Sequence, residues 1–273
     1  MGADHHTTDH DDFGGLQRDG LNRVDRRQAL LVLGGAGIMG LLAACSPGTP
    51  DDGGASVTTQ QPGTTAGGAG QAIAAETPGP FPADGTNGPN LLTDGAVVRP
   101  NITSSIGDLT GTADGVPATV QLTVVDAVTG DPRPGAAVYL WHCTATGQYS
   151  IYEVRNQNYL RGVQVADDAG CLAFTTVFPG CYPGRWPHAH LEIYDSLSEA
   201  DTGSNAVRTS QLALPQADCE AVYADTRYEN SAGNLSRLSL NRDGVFADGW
   251  ADQLATVSGS NDDGYTVSLL VRV

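Results

Sequence analysis

Short runs of strand-forming residues, divided by clusters of turn residues, organise the chain from about residue 76 onward. Val120, Leu122 and Val124 alternate with Thr119, Gln121 and Thr123, and the C-terminus carries Val267, Leu269, Val271 and Val273 at a period of two. Successive side chains of a strand point to opposite faces, so this period predicts strands with one buried face. Two more apolar runs, Ala136 to Trp141 and Leu172 to Val177, read as strands as well. Asp131-Pro132-Arg133-Pro134-Gly135 and Asp167-Asp168-Ala169-Gly170 supply the turns before them. No segment longer than a few turns sustains an apolar period of about 3.6 residues, which argues against a helical bundle. The expected fold is all-β, an antiparallel β-sandwich, with no internal repeat.

The N-terminal part follows different rules. Arg26-Arg27 precede a 16-residue apolar stretch from Ala29 to Ala44, broken by Gly34, Gly35, Gly37 and Gly40. A membrane-spanning helix needs roughly 20 apolar residues, so the stretch reads as an export signal that is cleaved. Leu42-Ala43-Ala44-Cys45 resembles the bacterial lipobox, in which the cysteine becomes the lipidated first residue, and the arginine pair resembles the twin-arginine export signal. The expected organisation is therefore an export signal over 1–44, a lipidated Cys45 with a Gly/Thr/Pro-rich tether over 45–75, and one folded domain over 76–273. The tether has too few large apolar residues to offset its ordering entropy. These features place the protein outside the cell, lipid-anchored on the outer face of a bacterial membrane. His5-His6 and the acidic residues after them precede the signal and leave with it.

Charge narrows the partners. The chain has a formal net charge of −17, and residues 1–44 hold only 4 of its 14 basic and 6 of its 31 acidic residues, so the mature protein stays strongly acidic. Such a surface repels nucleic acid and anionic headgroups, leaving the lipid as the means of membrane attachment. Cys143, Cys171, Cys181 and Cys219 follow Cys45. An even number in an exported domain predicts two disulfides of undetermined connectivity, and the absence of close Cys spacing argues against a cysteine metal site.

Candidate chemistry concentrates at Cys181-Tyr182-Pro183-Gly184-Arg185-Trp186-Pro187-His188-Ala189-His190. On a strand, His188 and His190 project side by side, as a metal clamp requires, although an exposed polar face continued by Glu192 and Tyr194 has the same alternation. The choice of a clamp rests on two facts: the mature chain has three histidines, two of them here, and a tyrosine-bearing loop leads into them. A tyrosine hydroxyl, with a pKa of about 10, must lose its proton to bind a metal. That favours hard, highly charged iron(III), with copper(II) left open. Trp141 and Trp186 read as packing residues, and His142 as a hydrogen-bonded or solvated residue outside the site.

Five segments together carry a family resemblance: Glu76-Thr77-Pro78-Gly79-Pro80-Phe81, Trp141 through Gly147-Gln148-Tyr149, Gly180-Cys181-Tyr182-Pro183, Arg185-Trp186-Pro187-His188-Ala189-His190, and Thr209-Ser210-Gln211-Leu212. In this order they resemble the intradiol ring-cleavage dioxygenases, the group containing catechol and protocatechuate 3,4-dioxygenases, over roughly Glu76 to Val273. The resemblance implies an Fe(3+) site with Tyr149, Tyr182, His188 and His190 as protein ligands. It also implies catalytic roles for Tyr182 as the ligand that leaves, for Arg185 in stabilising negative charge on the substrate, and for Gln211 beside the site. The implied reaction takes a catecholic substrate and O2 to a muconate-type dicarboxylic acid. The loop from Tyr182 to His188 is shorter than in protocatechuate enzymes, and no N-terminal helical dimerisation segment is evident, so substrate and homo-oligomeric state stay open. The competing expectation is an exported β-sandwich binding module whose metal site is lost or structural.

Overall fold

The structure, a computed structural model, describes residues 68–273. The export signal, the lipobox with Cys45 and the tether up to residue 67 lie outside the described residues. Eight strands form two four-stranded sheets, with β1 Pro117–Val125, β2 Ala137–Trp141, β3 Arg161–Val165, β4 Cys171–Val177, β5 His188–Tyr194, β6 Arg208–Ala213, β7 Thr256–Ser260 and β8 Gly264–Arg272. One sheet has the order β4-β1-β8-β7 and the other β3-β2-β5-β6. Two short helices, α1 Gln216–Val222 and α2 Ser231–Leu235, follow β6.

The alternation seen in the sequence places the core between the sheets. Val120, Leu122, Val124 and Phe174 of the first sheet pack in one cluster with Val138, Leu140, Leu191 and Ile193 of the second. All eight are almost wholly buried. Truncating a residue such as Phe174 to alanine costs about 3–5 kcal/mol through lost burial and the cavity left behind.

The second sheet is covered on its other face too. There Tyr139, Trp141, Val163 and Tyr194 form a second buried cluster with Leu92 and Val97 from the long segment before β1. All seven residues of β5 are consequently buried. The functional residues occupy this second, covered face, so the alternation along β5 separates two buried environments rather than core from solvent.

The expected β-sandwich is present, and three details of it differ from the sequence reading. The sandwich is not wholly antiparallel, because β1 and β8 pair in parallel while the other strand pairs are antiparallel. The long chain between β1 and β8 allows this, since a parallel pair needs a crossover rather than a hairpin. Packing also begins before residue 76: Ile73 is buried and donates its N–H to the Arg272 carbonyl, and Gly70 donates to Ala127.

The two-disulfide framework is the third correction. Cys143, Cys181 and Cys219 are free, buried thiols, so four cysteines cannot pair among themselves. Burial pushes the thiols of Cys143 and Cys181 up to about 12, and that of Cys219 well above its ordinary value. They behave as small apolar residues with little thiolate character. A domain spanning residues 68–273, made in a reducing cytoplasm, is therefore expected to fold completely, with the same unfolding midpoint with and without reductant. A midpoint that collapses in reductant would restore the disulfide framework.

Candidate metal and catalytic site

Three local features bring two phenols and two imidazoles together. β5 delivers His188 and His190 to one face. The loop after β2 delivers Tyr149, and the loop before β5 delivers Tyr182. Glycines let these two loops touch: a Cβ on Gly147, whose φ is +82°, would lie 3.1 Å from the Tyr182 Cβ, and one on Gly180 would lie 2.5 Å from the Thr144 and Ala145 carbonyl oxygens. A side chain at either position would push the tyrosines apart.

The four polar tips converge. Tyr149 Oη lies 3.5 Å from Tyr182 Oη, 3.4 Å from His188 Nε2 and 3.2 Å from His190 Nε2. His188 Nε2 lies 3.2 Å from both Tyr182 Oη and His190 Nε2. These separations are long for hydrogen bonds involving a hydroxyl. They match donors sharing one ion, since atoms ~2.0–2.1 Å from a common centre lie ~2.8–3.6 Å apart when adjacent.

Proton supply points the same way. His188 Nδ1 meets the Trp186 carbonyl at 2.5 Å, which makes Nδ1 the protonated nitrogen and leaves a lone pair on Nε2. Two phenol protons, with whatever His190 adds at Nε2, cannot satisfy all of these approaches. The cluster is rich in lone pairs, as a site for a cation would be. Among the described residues His190 Nδ1 has no hydrogen-bond partner, and stacking on Trp141, at 4.8 Å with rings 4° from parallel, holds the ring's orientation instead.

Electrostatics selects the kind of cation. Burial, reinforced by Arg185, pushes His188 down to about 3, and burial with His188 nearby puts His190 well below its ordinary value, so both imidazoles are neutral. Burial raises Tyr182 to about 12, opposed by Arg185, and raises Tyr149 well above the ordinary phenol value. Both phenols keep their protons until a strongly charged ion displaces them. Metal loading must release protons and should strengthen as pH rises.

Arg185 and Gln211 lie beside the cluster in one network. Arg185 donates to Gln211 Oε1 at 2.6 Å and to Asp243 Oδ2 at 3.0 Å. Gln211 donates to the Thr77 carbonyl at 2.8 Å, tying in the segment over the site, where a Cβ on Gly79 would lie 3.3 Å from His190 Cε1. Gln253 joins Glu76 Oε1 to the Gln211 carbonyl at 3.2 and 3.1 Å. Burial, with Asp248 adding to it, raises the Glu76 carboxyl to about 7. Arg185 is thus an ion-paired cation, with the buried Asp243 as its partner.

The chain is similar to known proteins. A family profile described as Dioxygenase matches residues 87–204. A 54-residue stretch is 39% identical to catechol 1,2-dioxygenase from Pseudomonas sp. (strain EST1001), covering 19% of this chain and 18% of that relative. The solved intradiol ring-cleavage dioxygenase from Tetranychus urticae superposes with a TM-score of 0.57 at 23% identity, over 74% of this chain and 94% of its own. A second solved dioxygenase gives 0.58 at 22%, with the same coverage. The described residues have the fold of the solved intradiol ring-cleavage dioxygenases.

Within this domain, sequence reasoning missed two residues that shape the site. Asp243 holds Arg185 and also accepts the backbone N–H groups of Trp186, Val245 and Phe246. It sits in Asn241-Arg242-Asp243-Gly244, which looks like an ordinary turn, and no local signal marks it. Trp141 was assigned to packing, and the cross-strand partner it faces on β5 is His190 itself. His142 lies outside the cluster, buried and bonded to the Cys143 carbonyl and Thr176 Oγ1 at 2.8 and 2.7 Å.

Proposed function

We propose that the protein is a non-haem iron(III) intradiol dioxygenase that cleaves catecholic substrates with O2 to muconate-type dicarboxylic acids. The observation that carries this reading is the convergence of two phenols, one buried and one partly exposed, and two neutral imidazoles on one point. Tyr149, Tyr182, His188 and His190 would hold the ion. Iron(III), when bound, supplies the Lewis acidity that makes a chelated catechol electron-rich enough to react with O2.

The protein's own groups have distinct tasks. Tyr149, His188 and His190 are buried, while Tyr182 is partly exposed and next to the exposed Pro183 and Gly184. Tyr182 is therefore placed to give way to an incoming catechol and to accept one of its hydroxyl protons at Oη. Arg185, held at fixed orientation by Gln211 and Asp243, stabilises negative charge gathering on the ring. Phe246 lies 5.8 Å beneath the Arg185 guanidinium and 6.5 Å from the His188 ring, excluding water on that side.

Oxygen uptake tests the reaction. The iron-loaded protein with catechol is expected to consume O2 and catechol in equal amounts, with both atoms of labelled O2 appearing in a dicarboxylic acid. Iron-loaded protein that binds catechol and consumes no O2 would overturn the proposed activity.

We also propose lipid anchoring through Cys45, on the strength of the lipobox-like Leu42-Ala43-Ala44-Cys45. Cys45→Ala should move the protein from the membrane fraction to the soluble fraction with the domain unaffected. A variant that stays membrane-bound would mean another attachment.

A further inference from the structure

Arg161 is a wholly buried cation, and among the described residues no ion pair involves it. Guanidinium groups are rarely buried without a carboxylate partner, because the charge loses its hydration. Neutral acceptors surround this one. Its Nε donates to Ser150 Oγ at 3.0 Å and its NH2 to the Ser150 carbonyl at 3.1 Å. NH1 donates to the Pro82 carbonyl at 3.0 Å and approaches Tyr139 Oη at 3.5 Å.

Two of these contacts hold Ser150, the residue after Tyr149. The next residue, Ile151, has φ +73°, a costly conformation for a β-branched side chain that the surrounding structure must hold in place. Ser150 Oγ passes the restraint on to the Tyr159 carbonyl at 2.7 Å. The Arg161 guanidinium carbon lies 6.0 Å from the centre of the Tyr149 ring. Register places Arg161 opposite Trp141, Trp141 opposite His190, and His190 opposite Gln211, so Arg161 ends the row of side chains that crosses the site.

The two tyrosines thus have different surroundings. Tyr149 is strapped through Ser150 and faces a guanidinium that has no ion-pair partner among the described residues. Tyr182 sits on a partly exposed loop, and the guanidinium near it is paired with Asp243. Building on the ferric reading above, we propose that Arg161 is the positioning residue for Tyr149: it fixes the phenol in place and stabilises its anionic, metal-bound form.

The test compares Arg161→Gln, Arg161→Lys and Ser150→Ala with the parent protein, each titrated with ferric ion. The readouts are iron affinity, the visible tyrosinate-to-iron absorption, and thermal unfolding of the metal-free protein. Arg161→Gln is expected to weaken iron binding by about tenfold or more, the range typical of groups that orient metal ligands. Its absorption should move to longer wavelength, because the phenolate loses a stabilising charge. Arg161→Lys keeps a charge without the fork and should retain the parent absorption while binding iron more weakly. Ser150→Ala, which loses one acceptor and keeps the charge, should do the same. If Arg161→Gln does not fold, Arg161→Lys and Ser150→Ala decide the strap, and parent-like affinity in both would overturn it. A folded Arg161→Gln that binds iron as the parent does, with unshifted absorption and only a lower unfolding temperature, would reduce Arg161 to a structural role. A parent protein that binds no ferric ion would instead remove the functional reading on which this rests.

Discussion

Replacing His188 or His190 with alanine is expected to abolish iron binding and colour together. Each imidazole would supply one of the four proposed protein donors, and no nearby group offers a substitute, since Trp141 and Phe246 flank the histidines with apolar atoms. The fold should survive the change. A buried substitution of this kind costs roughly 0.5–3 kcal/mol, against a total stability of about 5–15 kcal/mol for an ordinary domain. Far-ultraviolet circular dichroism beside iron analysis separates the two effects. A variant that keeps both full iron occupancy and turnover would remove that histidine from the ligand set.

Arg185→Ala is expected to divide binding from catalysis. The guanidinium is placed to meet charge that builds up on the bound ring, and loss of one such preorganised group costs roughly a hundredfold or more in turnover. Iron should remain, because Arg185 is not a donor in the cluster, and catechol should still change the visible spectrum. Removing it does not orphan Asp243, whose carboxylate keeps the N–H groups of Trp186 at 2.6 Å, Val245 at 2.9 Å and Phe246 at 3.2 Å. The loop carrying Trp186 should therefore stay in place, and the loss can be read as electrostatic. Unchanged turnover would exclude the role.

The strands with a clean period of two, β1 and β8, were legible because one of their faces meets the core. β3, with its glycine and arginine, and β7, largely exposed at a sheet edge, carry no such pattern. β5 was read for its histidines, but its burial on both faces could not be seen locally: the cover comes from Leu92 and Val97, about a hundred residues earlier in the chain. The cysteines misled for a related reason. Counting them says nothing about whether each sits in an apolar environment suited to a thiol, and three of them do.

The site shows the same division. Tyr149, Tyr182, His188, His190, Arg185 and Gln211 were found through short segments with distinctive residues, and the structure brings them into one neighbourhood. Asp243 and Arg161 act through partners far away in sequence. Asp243 reaches back 58 residues to Arg185, and Arg161 reaches Pro82 across 79. Long-range satisfaction of a buried charge leaves no local trace, whereas a strand carrying two histidines does.

Metal analysis with a visible spectrum of the purified protein, before and after catechol, tests the central claim most directly. Stoichiometric iron is expected, with a burgundy tyrosinate-to-iron absorption that changes when catechol is added. A colourless protein without iron, or one holding stoichiometric copper, would contradict it.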